Sequence, residues 1–384
     1  MNMVQPAPAL HGGTAVATGT VVALMAPGSQ RSSEHERAAL ERHTQAIATL
    51  LGWQAGGWHD IARPYQPPLY FVPNETLSLA QASQLGITGP DDLFGGVVPH
   101  AFVASKAISH PLVSPQADRP PGWNAGLDGA CGDAVLAGYS AFSRDDAQAA
   151  ARRLLGNGPV RIKPSLGTGG RGQVVAKDEQ AVREALAAMD PAELGEHGVV
   201  MEEQLTEVRT YSIGTVQVRD QRASYFGTQQ LTRDPRGQEV YGGSELTVQR
   251  GGFDALAAAD APDIIARCIE QARRFDAGVQ ACYPGFFASR RNYDVAVGRN
   301  GRGDWRCGVL EQSWRVGGAT GAELAALGRL QAHPELARVR AVCVEVFGPS
   351  PEPPPGAIVH FRGEERELGF LTKYTVVESD VHAG

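Results

Sequence analysis

Apolar and polar positions follow two rhythms along this chain, and the changes between them mark its elements. GTVVALMAP, near residue 20, is an unbroken apolar run short enough for a buried strand. SSEHERAALERHTQAIATLLGW then takes up helical spacing. Leu40, Ile47, Leu50 and Leu51 form a stripe, and Ser33 with Glu36 makes a capping box. LYFVP, with Tyr70 and Val72, predicts a second strand. From Gly138 the pattern sharpens. GYSAF predicts a strand, and Ser143 with Asp146 caps a helix through DDAQAAARRLLGN that ends at Gly156 and Gly158. PVRIKPS and QVVAKD read as strands on either side of a glycine loop. EQAVREALAAMD is a helix with Val182, Leu186 and Met189 on one face, and GVVMEEQL is a strand. This β-α-β-loop-β-α-β order makes a complete small α+β unit.

Downstream, TYSIGTVQV, ASYFGTQQL, YDVAVG and RCGVLEQS predict strands. The helix APDIIARCIEQARRF lies among them, with Ile265, Ile269 and Ala272 at helical spacing. PSPEPPPG reads as a stiff linker, and AIVHF and GFLTKYTVV as strands that return to the core. The class is α/β with α+β subdomains. The expected organisation is a loose tail (1–19), an N-terminal α/β domain (20–120), a small subdomain with the glycine loop (121–200), a large subdomain (201–348), and a linker with terminal strands (349–384). A chain of 384 residues exceeds one ordinary core, which agrees with several packed units.

Charge narrows the partners. The formal net charge of −7 argues against nucleic acid or an anionic membrane surface, although local basic patches can still bind phosphate. No apolar run approaches the roughly 18 residues that cross a bilayer. The start, MNMVQPAPALHGGTAVATGT, lacks the basic and apolar regions of a secretory signal, so the cytoplasm is expected. Five scattered cysteines without a C-x-x-C predict reduced buried thiols, with Cys131 in DGACGD the more exposed.

VRIKPSLGTGGRGQVVAKD contains G-x-G-x-x-G, with Gly167, Gly169, Gly170 and Gly172. A dinucleotide fingerprint needs a helix after the glycines, and a P-loop needs Gly-Lys-Ser/Thr. Here a strand follows, and both readings fail. A glycine-rich hairpin remains. Either its backbone N–H groups fold over a polyphosphate, with Lys163 as a point charge, or it is a solvent hairpin beside a surface lysine.

Taken in order with what lies downstream, these motifs resemble the ATP-grasp superfamily and, within it, an uncharacterised bacterial ATP-grasp-like family, from about residue 100 to about residue 325. The resemblance implies the ATP-grasp fold, in which two α+β subdomains close on ATP, preceded by a pre-ATP-grasp α/β domain. Lys106 in SKAISHPLV falls where these enzymes place a lysine on the nucleotide phosphates. Lys163 and the loop from Gly167 to Gly172 match the lysine strand and phosphate flap. VVMEEQL matches the hinge, which gives Glu202, Glu203 and Leu205 the adenine edge and ribose. Arg209 stands where a basic residue often faces the phosphates.

The metal end is similar to the family's Glu-x-Asn-x-Arg with an upstream acid. NYDVAVG carries Asp294, and VLEQSWRVGG carries Glu311, Ser313 and Arg315, which alternation puts on one face. Two converging carboxylates repel unless a cation lies between them, and Mg2+ suits carboxylate and phosphate oxygens. The bland alternative is a solvated strand face with a surface ion pair. Ser313 replaces the asparagine with a poorer neutral oxygen donor, which bears on a second metal ion. The connection GRNGRGDWRC looks long for a simple hairpin.

The resemblance implies ligation of a small-molecule or peptide carboxylate to an amine (or thiol) through an acylphosphate, with Arg315, Lys163 and Arg209 as catalytic cations. A phosphotransferase, or a nucleotide-binding regulator without turnover, is the alternative on the same architecture. Arg233, Arg236, Arg250 and Tyr241, in the segment 224–252, are substrate-binding candidates, although that segment reads equally as an ordinary polar hairpin. A homodimer is the common default.

Overall fold

The structure, a computed structural model, describes residues 18–27, 33–167, 172–257, 259–349, 352–366 and 368–382, without the side chains of 379–382. A parallel three-stranded sheet begins the chain, in the order Gln54–Trp58, Thr20–Leu24, Leu69–Pro73. Helix Glu34–Leu51 makes the crossover that parallel strands need. It starts on the Ser33/Glu36 capping box and stops at Gly52, whose φ of 66° suits glycine.

A four-stranded antiparallel sheet follows, in the order Gly138–Ala141, Val199–Glu203, Val160–Pro164, Val174–Ala176. Its helices are Arg144–Leu155, Glu179–Ala187 and Pro191–His197. Its core is its own: Ala147, Leu154, Ile162, Leu186 and Met201 pack on one another.

The largest layer has eight antiparallel strands. From one edge they run Trp305–Ser313, Arg290–Arg299, Thr206–Val218, Gln221–Arg233, Glu239–Arg250, Leu336–Phe347, Gly369–His382 and Ile358–Glu365. Helix Asp263–Cys282 covers one face, where Ile269, Phe275 and Val279 meet Ile213, Tyr293 and Val295. Helix Thr320–Ala332 and the N-terminal unit cover the other. There Leu40 and Ile47 share a core with Tyr225, Leu246, Leu327 and Val339.

Some elements escape the sequence reading for physical reasons. Helix Thr320–Ala332 is buried on nearly every side, so it has no polar face to reveal its period. Segment 224–252 is two long strands joined by a short turn, and Arg250 donates to the carbonyls of Leu330 and His333 at that helix's end. The 300–304 connection is only a turn: Asn300 Oδ1 accepts from the N–H groups of Arg302 and Asp304, because the flanking strands outrun their apolar cores. The two terminal strands join the large sheet at its far edge. No helix among the described residues is long and apolar enough to cross a membrane.

Candidate functional site

The candidate residues gather where the four-stranded sheet meets the first strands of the large one. On the small side, pairing sets Arg161 opposite Glu202 and Lys163 opposite Val200, so Lys163 and Glu202 share a face. Lys163 Nζ lies 2.5 Å from Glu202 Oε1, and His110 Nε2 lies 3.0 Å from Oε2. All three side chains are buried. Burial alone would raise the Glu202 pKa, but Lys163 and His110 outweigh it and hold the carboxyl below its ordinary 4.5.

A depressed carboxylate adds stability that is present above its unfolded pKa and is lost as pH falls through the folded one. The wild-type melting temperature should therefore drop as pH goes below 4.5. A Glu202→Gln variant should show a shallower drop in the same calorimetric series; an equal slope would count against the triad.

On the large side, Asp294 stands directly opposite Glu311, with the strand bulging just beyond. Ser212, opposite Asp294 on its other flank, donates to Oδ1 at 3.4 Å. Burial first, and the Glu311 charge second, push the Asp294 carboxyl up to about 6. Lys106 comes from the short 3-10 turn Lys106–Ser109. Its Nζ lies 2.5 Å from Glu311 Oε2 and also donates to the Gly167 carbonyl at the root of the glycine loop. The turn thus links the loop to the carboxylate strand.

Two opposed carboxylates with one lysine leave a deficit of positive charge, which adds to burial in raising the Asp294 pKa. No group of three or more His, Cys, Asp and Glu side chains that could hold a metal ion forms among the described residues. The available donors are all oxygens, and that set fits a hard divalent cation rather than zinc or copper.

Several expected placements need correction. Arg209 pairs with Val297, one step out of phase with Asp294, so the pleat puts it on the opposite face, where it is exposed. Glu203 also leaves the Lys163 face, and its Oε1 accepts from Ala137 N at 3.0 Å and Arg306 Nε at 2.9 Å. Leu205 is buried against Leu136 and Ala296. The strand ends at Ser313, so Arg315 lies in the turn before helix Thr320–Ala332 and donates to Val316 O at 2.9 Å. Ser313 Oγ faces Arg290 Nη1 at 3.4 Å. Arg233 folds back on Gly237 O, Arg236 is exposed, and the Tyr241 hydroxyl meets Ser244 Oγ. Cys131 is buried, and burial together with nearby Cys282 pushes its thiol up to about 12. Gly169 and Gly170 lie outside the described residues, whereas Gly167 and Gly172 flank them.

The sequence reading missed His110, although it lies in the same SKAISHPLV segment as Lys106. It also missed Arg290, Asn292, Tyr225 and Glu323, which meet only in the fold. A buried arginine in ASRRNYD carries no local signal of its partner.

Solved structures with similar folds share little sequence with this chain. One is N5-carboxyaminoimidazole synthetase from Staphylococcus aureus, complexed with ADP (13% identity, TM-score 0.55, 95% of each chain covered). A second is the biotin carboxylase domain dimer of Hydrogenobacter thermophilus 2-oxoglutarate carboxylase, in complex with MgADP, ADP and bicarbonate (13%, 0.55, 94% of this chain and 86% of that one). A third is phosphoribosylamine–glycine ligase from Thermotoga maritima (15%, 0.50, 94% of this chain and 98% of that one). These neighbours are ATP-grasp enzymes, and the likeness establishes the ATP-grasp fold for this chain. No curated protein matches the sequence. The family model described as "Protein of unknown function (DUF3182)" matches residues 23–375, nearly the whole of the sheets and helices above, and the chain belongs to that family.

Proposed function

We propose that this protein is an ATP-dependent ligase that joins a carboxylate to an amine or thiol through an acylphosphate. The observation that carries the reading is the in-register pair Asp294 and Glu311, tied through Lys106 to the glycine loop. ATP would lie between the two sheets, its phosphates toward Lys106, Lys163 and the loop's backbone N–H groups. Asp294 and Glu311 would hold Mg2+, which when bound neutralises charge on phosphate oxygens.

The protein's own groups have distinct work. Lys163, oriented by Glu202 and His110, supplies positive charge at a fixed point. Arg315, on the turn after the carboxylate strand, offers a forked donor to the transferred phosphoryl group. The acceptor carboxylate attacks the γ-phosphorus, the bond to the β,γ-bridging oxygen breaks, and ADP leaves. An amine or thiol then displaces inorganic phosphate from the acylphosphate. A closed loop would keep water from that intermediate.

The test is an ADP-release screen of small carboxylates paired with amines and thiols, analysed by mass spectrometry. ADP release that requires both partners and yields a condensed product is the expected result. A stable phosphorylated product from one acceptor would assign a phosphotransferase. Tight Mg-ATP binding without turnover across the panel would overturn the ligase reading in favour of a regulator.

A further inference from the structure

Behind Asp294 runs a buried polar chain that the proposed reaction does not use. Glu323 accepts from Arg290 at both oxygens, Nε to Oε2 and Nη2 to Oε1, each 2.8 Å. Tyr225 donates to Glu323 Oε1 at 2.6 Å, and its hydroxyl is also 2.9 Å from Asn292 Oδ1. Asn292 Nδ2 in turn lies 3.0 Å from Asp294 Oδ1. Asn292 is 8% exposed, while Arg290 and Glu323 are essentially inaccessible.

The protons in this chain do not suffice. Tyr225 has one hydrogen and two acceptors. The shorter contact, to a carboxylate, is the charge-assisted one and takes it. The hydroxyl oxygen is then left facing Asn292 Oδ1, two lone-pair atoms in contact. Because the two ends of an amide are isosteric, its neighbours set its orientation. Turning the amide gives Tyr225 a donor and moves the conflict to the other end, where Asn292 Oδ1 then faces Asp294 Oδ1. A cation relieves that last oxygen–oxygen contact.

Ser313 is badly placed for the same duty. Its Oγ faces the Arg290 guanidinium, whose Nη1 also donates to the carbonyls of Ser313 and Arg315. A second cation there would meet like charge. Yet Asn292 is the residue paired directly opposite Ser313, on the same face. The amide missing from one strand is presented by its neighbour.

We propose that Asn292, not Ser313, supplies the neutral oxygen that completes the Asp294–Glu311 cation site. The inference rests on the ATP-dependent reading, because it is the metal–nucleotide complex that would fill the site. Tyr225, Glu323 and Arg290 then act as positioning residues that fix which end of the amide faces forward.

The probe is Mn2+ with ADP, titrated by electron paramagnetic resonance, so that no acceptor is needed. Asn292→Ala should weaken Mn2+ binding roughly 10-fold, the scale of losses around metal sites. Ser313→Ala should leave it within about twofold, and Ser313→Asn added to Asn292→Ala should recover part of the loss. Melting without ligand checks the fold, and Asn292→Ser takes the place of Asn292→Ala if the latter fails to fold. Weakening by Ser313→Ala alone overturns the assignment. So does an unchanged affinity in both single variants while Glu311→Ala abolishes binding. If folded wild-type protein does not bind Mn2+ with ADP at all, the ATP-dependent reading fails first and the assignment falls with it.

Discussion

Glu311→Ala is expected to remove Mg-ATP-dependent turnover, by roughly 1000-fold or more, about 4 kcal/mol of transition-state stabilisation. Two neighbours make the effect large. Asp294 loses the carboxylate with which it would share a cation, and the site drops to one anionic ligand. Lys106 loses its ion-pair partner, so the link from the carboxylate strand to Gly167 breaks. None of this is expected to unfold the protein, because the Glu311 side chain is 28% exposed and the buried Lys106 keeps the Gly167 carbonyl as an acceptor. ADP release and a thermal melt on the same preparation decide the matter. Turnover within tenfold of wild type would remove Glu311 from the site. Lys163→Ala is a less clean companion, since it strands the buried Glu202 carboxylate and lowers stability as well.

Glu323→Ala should be the most destabilising single change at the site, at about 3–5 kcal/mol, the usual cost of leaving one member of a buried ion pair. Arg290 is 1% exposed, so its guanidinium would be left buried without its counter-charge. The Tyr225 hydroxyl would lose its shorter acceptor as well. Glu323→Gln keeps the shape and some of the hydrogen bonds, so it should fall between wild type and alanine. Arg290→Met combined with Glu323→Leu should recover much of the loss, because removing both charges removes the desolvation cost. Urea midpoints for the four proteins make a complete comparison. A loss under 1 kcal/mol for Glu323→Ala would mean that solvent reaches the pair.

The fold's class and most of its elements could be read from local pattern. Strands such as Val160–Pro164 and Arg290–Arg299, and helices such as Glu34–Leu51, combine a clear period with caps that depend on nearby residues. The strand that follows the G-x-G-x-x-G, Val174–Ala176, is legible from its own apolar residues. Placement across the pleat was harder. Position after the hinge points Arg209 at the phosphates, but the strand is irregular between Thr206 and Arg209, and one residue of phase decides the face. Alternation puts Arg315 on the face of Glu311, but alternation holds only while the strand lasts, and it ends at Ser313. Asn292 could not be found from its own segment, because its importance comes from facing Ser313 across a register that no single strand encodes.

The cores described above also order the chain in time. The core of the four-stranded sheet is drawn from Val113 to Met201, so each of its contacts closes within a short stretch of freshly made polypeptide. The N-terminal unit closes only one of its faces locally, where Val22, Leu24, Phe71 and Leu93 pack together. On its other face Val21, Leu40 and Ile47 share a core with Leu246, Leu330 and Val339, which lie far later in the chain. Low-separation contacts form early and distant ones late. The other face of this unit therefore waits open while the middle of the chain folds, and the final third completes both it and the large sheet.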